Sequence, residues 1–163
     1  MFDQALTFLI TQLNQFLTQR FSTSEPMAVL SNLAHPDGSV PAGIENRLVM
    51  ALLSVERGDN GAMPSPVRGA ASTGAAKPTL KLKFIVAASF DAKYGEGLRA
   101  LSAAFEFFES HPVFSPQDTS GALPTVNQLV VDMVSADLET LNIVWTSIGA
   151  HALPSLIYQA VLR

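Results

Sequence analysis

Residues 80–90 read LKLKFIVAASF, and the fold is decided there. Leu80, Leu82, Phe84, Val86, Ala88 and Phe90 alternate onto one face, with Lys81 and Lys83 on the other. A period of two is the signature of a strand resting on a core. Immediately before it, residues 57–79 carry Gly58, Gly61, Gly69 and Gly74, three prolines and five alanines, with only Met63 and Val67 large and apolar. Such a segment buries too little surface to offset its ordering entropy, so a long flexible loop is expected. Further back, residues 46–55 (NRLVMALLSV) form a continuous apolar run, which suits a central strand covered on both faces. The two strands joined by the loop read as an antiparallel pair.

Outward from this pair the chain alternates between helix and strand. Residues 2–20 repeat Phe2, Leu6, Leu9, Leu13, Phe16 and Leu17 at helical steps. The opposite face, Gln4, Thr7, Thr11, Gln12, Asn14, Gln15 and Thr18, is nearly uncharged, so it can meet a partner without desolvating ions. Residues 26–33 (PMAVLSNL) predict a strand, and AHPDGS at 34–39 predicts a turn. Downstream, residues 94–110 predict a second helix with an apolar stripe of Leu98, Leu101, Phe105 and Phe108. Tyr94-Gly95-Glu96-Gly97 reads as a flexible lead into it. The helix should stop at Ser110–His111, because a residue before proline avoids the helical region. Phe107 lies off the stripe, and is expected to widen the core face. Residues 112–126 are expected to be a loop, and 127–134 (NQLVVDMV) a strand. Residues 137–148 predict a third helix with Asp137 as N-cap, Leu138, Leu141, Val144, Trp145 and Ile148 as apolar positions, and Gly149 as a left-handed stop. Residues 155–162 (SLIYQAVL) close the chain as a strand. The order α-β-β-β-α-β-α-β predicts an α+β (mixed α/β) fold. It has one sheet of about five strands, three helices covering a face, and parallel crossovers allowed in its last part. With no repeat and no second core, residues 1–163 are expected to form a single domain.

Composition narrows the function. Apolar residues are 48% and charged residues 15% of 163, a low charge that suits a subunit hiding surface in partners. The net charge of −4 argues against nucleic acid as the main partner. The absence of cysteine excludes disulfides and thiolate metal sites. No apolar stretch approaches the length of a membrane span, and Asp3 with no Lys or Arg before Arg20 does not read as a signal peptide. His35, His111 and His151 lack acidic or histidine partners at helical spacing, so no metal site or cofactor is expected. Glu106 and Glu109 interleave with phenylalanines and read as a solvated edge. No phosphate loop, nucleophile elbow or dinucleotide fingerprint is present, and no catalytic residue is assigned. One alternative reading is a small ligand-binding or catalytic α/β domain with Glu109 and His111 beside a pocket. Charge is skewed along the chain. Arg57, Arg68, Lys77, Lys81 and Lys83 fall within 57–83 against Asp59 alone, which offers a cationic set for partner contact.

Two segments are distinctive together: Phe107-Phe108-Glu109-Ser110-His111-Pro112-Val113-Phe114, and Trp145-Thr146-Ser147-Ile148-Gly149-Ala150 running on to Pro154-Ser155. With Leu9–Leu17 and Val29–Leu33 they make nearly the whole chain resemble the N-terminal domain of cap proteins of extracellular contractile injection systems. The antifeeding prophage and related virulence cassettes are examples. The family motif falls on Phe107, Phe108, Pro112, Val113, Phe114, Trp145, Gly149, Pro154 and Ser155. The resemblance implies a tail terminator without enzymatic activity. It would form a ring, expected to be a hexamer, with tube and sheath proteins as partners. It would assemble in the cytoplasm and then belong to a phage-tail-like particle. Another adaptor of the same particle is the alternative. The loop 57–79 is longer than the resemblance suggests at this link. A C-terminal extension expected in some relatives is not seen before Arg163.

Overall fold

The N-terminal apolar repeat becomes α1 (Phe2–Phe21), and the chain continues as β1 (Ala28–Leu30), β2 (Arg47–Arg57), β3 (Leu80–Ser89), α2 (Tyr94–Ser110), β4 (Val113–Phe114), β5 (Leu129–Met133), α3 (Leu138–Ile148) and β6 (Ser155–Leu162). The computed structural model describes residues 1–58, 79–116 and 127–163. The flexible loop expected at 57–79 lies outside the described residues except for its ends, which Gly58 N–H closes by donating to Thr79 O at 2.7 Å.

All six strands form one sheet in the order β1-β2-β3-β6-β5-β4. This is one strand more than the five expected: β4 has only two residues, too short for any periodicity to show. β2 and β3 pair antiparallel as anticipated, with a register shift between Leu52 and Ser54. β6 is antiparallel to both β3 and β5. β3 and β5 therefore run parallel with β6 between them, and the step from β5 through α3 to β6 is not a parallel crossover. Among the described strands only β1 and β2 are parallel neighbours. The first strand shrinks from the expected 26–33 to three residues, because Leu33 leaves the sheet to pack on its far face.

The helices take both faces, not one. α1 and α2 cover the face carrying Leu48, Met50, Leu82, Phe84, Val86, Leu129 and Tyr158. α3 covers the other, where Trp145 packs with Val49, Ile85, Ala87 and Ile157, helped by Leu33 and Ile44. The second layer covers only part of the sheet. β2 is buried from Leu48 to Met50 and opens toward Arg57, so it is two-sided core only at its start. β3 runs antiparallel to it and shows the same boundary: Leu80–Lys83 alternate, while Phe84–Ala88 are buried without a break.

α2 is rotated from its expected stripe. Leu98 and Phe105 are 40% and 39% exposed, while Gly97, Ala100, Ala103, Ala104, Phe107 and Phe108 are buried with Leu101. Small residues win the inner face because they let the helix approach the sheet closely. A Cβ on Gly97 would sit 2.9 Å from Phe90 Cβ, inside van der Waals contact. Residues 94–97 are thus the helix's first turn and not a flexible lead. On α3, Leu138 is 85% exposed, and Trp145 is the only buried residue of that helix.

Candidate functional site

The two motif segments build opposite faces of the sheet and do not meet. Phe107, Phe108 and Phe114 are core under α1. Phe107 stacks near Phe16 (5.4 Å), Phe108 (5.0 Å) and Phe114 (6.1 Å), and Phe108 lies 4.6 Å from the Tyr158 ring. Phe107 therefore belongs to the core, as its expected widening of that face requires. His111 caps α2 with its N–H on Phe107 O, and at φ −129°, ψ 65° it has left the helical region, which Pro112 disfavours for the residue before it. Pro112 O then accepts from Val131 N–H at 2.7 Å and starts β4, leaving Val113 46% exposed. On the far face, Trp145 is buried and its carbonyl accepts from Gly149 N–H at 3.1 Å. Gly149 sits at φ +76°, where a side chain would strain the stop. Pro154 O accepts from Ala88 N–H, and Ser155 pairs with Ala87, so this second segment threads α3 back into the sheet as β6. Each motif is a helix stop followed by the next strand.

The cationic set divides. Arg68 and Lys77 lie outside the described residues. Arg57 ends β2 exposed, and Lys81 stands opposite Glu56. Lys83 is held by Glu56 at 2.6 Å. Glu56 falls one residue before the stretch whose charge looks unopposed, and the hairpin register brings it back.

Of the histidines, His35 belongs to the 34–39 turn through N–H to Ser39 O, and His151 is exposed after Gly149. His111 lies flat on Phe107 at 5.0 Å, and its Nδ1 is 3.1 Å from Phe107 O. It borders a groove of about 320 Å³, but Glu109 does not line that groove. Glu106 pairs with Arg20 at 3.1 Å on the surface. No group of three or more metal-ligating side chains occurs among the described residues. No helix of the described chain is long and apolar enough to cross a membrane.

Three residues that matter carry little sequence signal. Asn14, read as one of a polar face, donates to Ala28 O (2.8 Å) and accepts from Ala28 N–H (2.9 Å), so its amide holds the outer edge of β1. Gly97 makes the close helix–sheet approach. The Tyr158 hydroxyl is buried without a hydrogen-bond partner. Burial, with a smaller contribution from the Glu109 carboxylate, pushes this phenol well above its ordinary range.

A mixed six-stranded sheet with helices on both faces, and a helix stop leading into the next strand at each motif, defines an α+β class of protein. In fold the chain is similar to the sheath/tube terminator solved by cryo-EM in the extended state of an extracellular contractile injection system, PVC. The TM-score is 0.52 at 14% identity, over 94% of this chain and 55% of that chain. The chain thus spans about half the length of that terminator subunit, at 55%. It belongs to the Pvc16 N-terminal domain family, whose model matches residues 5–162. Among curated protein sequences none matches it.

Proposed function

We propose that residues 1–163 act as one terminator domain, a structural cap that closes the end of the tube and sheath of a contractile injection system and limits their length. The observation that carries this reading is the family match over residues 5–162. The domain works without catalysis, as a ring of identical subunits, a hexamer, in which each subunit offers two different patches head to tail. Its partners are its own copies and the sheath and tube proteins. It assembles in the cytoplasm and leaves as part of the particle.

Several surfaces support an assembly role. β1 runs beside β2 only from Leu48 to Met50, so the outer edge of β2 from Ala51 to Arg57 has no strand next to it among the described residues. Unpaired main chain of that length is an acceptor for a strand from a neighbour. Leu138 and Ile143 of α3 project into solvent at 85% and 60% exposure, apolar area that a ring contact would cover. Arg57 and Lys81, with Arg68 and Lys77 of the intervening segment, are the cations we assign to partner contact.

Deleting the gene and imaging particles by negative stain tests the function. Sheaths and tubes of uncontrolled length are the expected result. Particles of normal, uniform length would overturn it.

A further inference from the structure

We propose that the groove between α1 and the α2–β4 corner is a binding site for an extended, uncharged peptide segment of another protein, with one bulky apolar side chain seated on its floor. Three observations meet there. The first is the wall. Gln12, Gln15 and Gln19 fall at spacings of three and four, so their amides form one stripe along α1, and all three line the groove. A primary amide both donates and accepts, as a peptide unit does, so a row of them is matched to a main chain.

The second is the floor. Phe16, Phe107 and Phe114 contribute aromatic surface between that wall and β4, with Phe16 and Phe107 5.4 Å apart. The third is the edge. Pro112 O points to β5, since it accepts from Val131 N–H. Backbone groups in an antiparallel ladder alternate in direction, so the N–H and C=O of Val113 point away from β5. Val113 lines the groove and no strand pairs with its free side among the described residues. It therefore offers one donor and one acceptor to an incoming chain.

Charge selects the occupant. Among the described residues no Asp, Glu, Lys or Arg lines the groove. The His111 Nδ1 lies 3.1 Å from the Phe107 carbonyl oxygen, so a proton on Nδ1 is donated within α2 and not to the groove. An ionised side chain would be moved from water onto amides and phenyl rings with no counter-ion, which is costly. Nucleic acid, an acidic tail and a basic arm are all mismatched, while an uncharged strand is matched. The inference does not depend on the terminator role, because it rests on the groove alone.

The test is a library of acetylated, amidated seven-residue peptides screened against the full chain, followed by titration of the selected sequences. Uncharged peptides with one aromatic or large aliphatic position should be selected. Val113→Pro removes the outward N–H, which no bond of the β4–β5 ladder uses, and keeps an apolar side chain there, so it should weaken binding roughly three- to tenfold, about the loss of one main-chain hydrogen bond. Gln15→Lys, at an exposed position, should weaken it further without lowering the melting temperature. Selection of charged peptides, absence of binding, or binding indifferent to both variants would overturn the proposal. So would a concentration-dependent dimer that both variants dissolve, which would make the occupant a second copy of this chain.

Discussion

Tyr158 lies on β6 between Phe84 and Phe108, with ring centroids 5.6 and 4.6 Å away and no partner for its hydroxyl. A buried hydroxyl that loses its water bonds without replacement costs stability, while the ring itself fills core space. Tyr158→Phe keeps the ring and removes the orphan oxygen. It should raise the unfolding free energy by about 1 kcal/mol in a urea titration, and a loss of stability would show that the hydroxyl is satisfied. Asp137 gives a second prediction at this scale. Its carboxylate accepts from Thr140 N–H at 2.8 Å, and that bond lowers its pKa below 3.8. A carboxyl depressed in the folded state stabilises above its unfolded pKa, and the benefit is lost as pH falls through the folded value. Asn is an equally good N-cap that does not titrate. The melting temperature of the native chain should therefore fall relative to Asp137→Asn as acid is added below pH 3.8, with parallel curves above it. Curves that stay parallel throughout would remove Asp137 as the cause.

At the level of elements, α2 shows why an apolar stripe misleads. Its sequence offers two apolar faces, Leu98–Leu101–Phe105–Phe108 and Gly97–Ala100–Ala104–Phe107, overlapping at the Leu101 and Phe108 edge. Periodicity weights the larger residues, whereas packing favours the flat face that lies closest to the sheet. Phe107→Ala should cost about 3–5 kcal/mol, as for a buried aromatic, and Phe105→Ala under about 1.5 kcal/mol. The reverse order would restore the stripe expected from periodicity. Gly97→Ala separates propensity from packing. In an open helix it would stabilise by about 1 kcal/mol. Here the new methyl meets Phe90 Cβ at 2.9 Å, so a net loss of about 1–3 kcal/mol is expected from thermal or urea unfolding. The contact of α1 with β1 is equally specific. Asn14→Ala should cost about 2 kcal/mol through the two bonds to Ala28. The amide of Ala28 should then exchange its hydrogen much faster while the β2–β3 amides keep their protection.

Across the whole molecule, α1 ties the two ends of the sheet together. It reaches β1 through Asn14 and β4 through the edge-on contact of Phe8 with Phe114 at 5.6 Å, which the inherent twist of a sheet allows. The consequence is an asymmetric surface. Asn14 occupies the outer edge of β1, Phe8 packs on β4 while the main chain of Val113 stays free, the edge of β2 beyond Met50 is open, and α3 shows apolar side chains to solvent. The proposed ring of identical subunits would need two unlike patches on each member, and the open β2 edge and the apolar flank of α3 are the two surfaces to test. Leu138→Glu together with Ile143→Glu should leave the melting temperature within about 1 kcal/mol equivalent of the native chain, since both positions are exposed. If α3 is a ring contact, the double variant should lose the oligomer in sedimentation. An unchanged oligomer would place the contact elsewhere.

The sequence by itself determined the helices and the longer strands, but not their layering, since it put the helices on one face and the structure has them on both. Helix stops at His111-Pro112 and Gly149, the cap at Asp137 and the hairpin of β2 with β3 all follow from local chemistry, which needs only a few neighbouring residues to act. The limit of the second layer came from the structure, where β3 alternates to Lys83 and is buried without a break from Phe84 to Ala88. Tertiary structure alone decided the rest. A two-residue strand exists only because β5 is there to pair with it. The inner face of α2 depends on how closely Phe90 lets Gly97 approach. Asn14 finds its role at a strand edge 14 residues away, and the groove forms where the uncharged flank of α1 comes beside Val113. These are contacts between residues far apart in the chain, and their free energy depends on shape and distance that residue type does not encode.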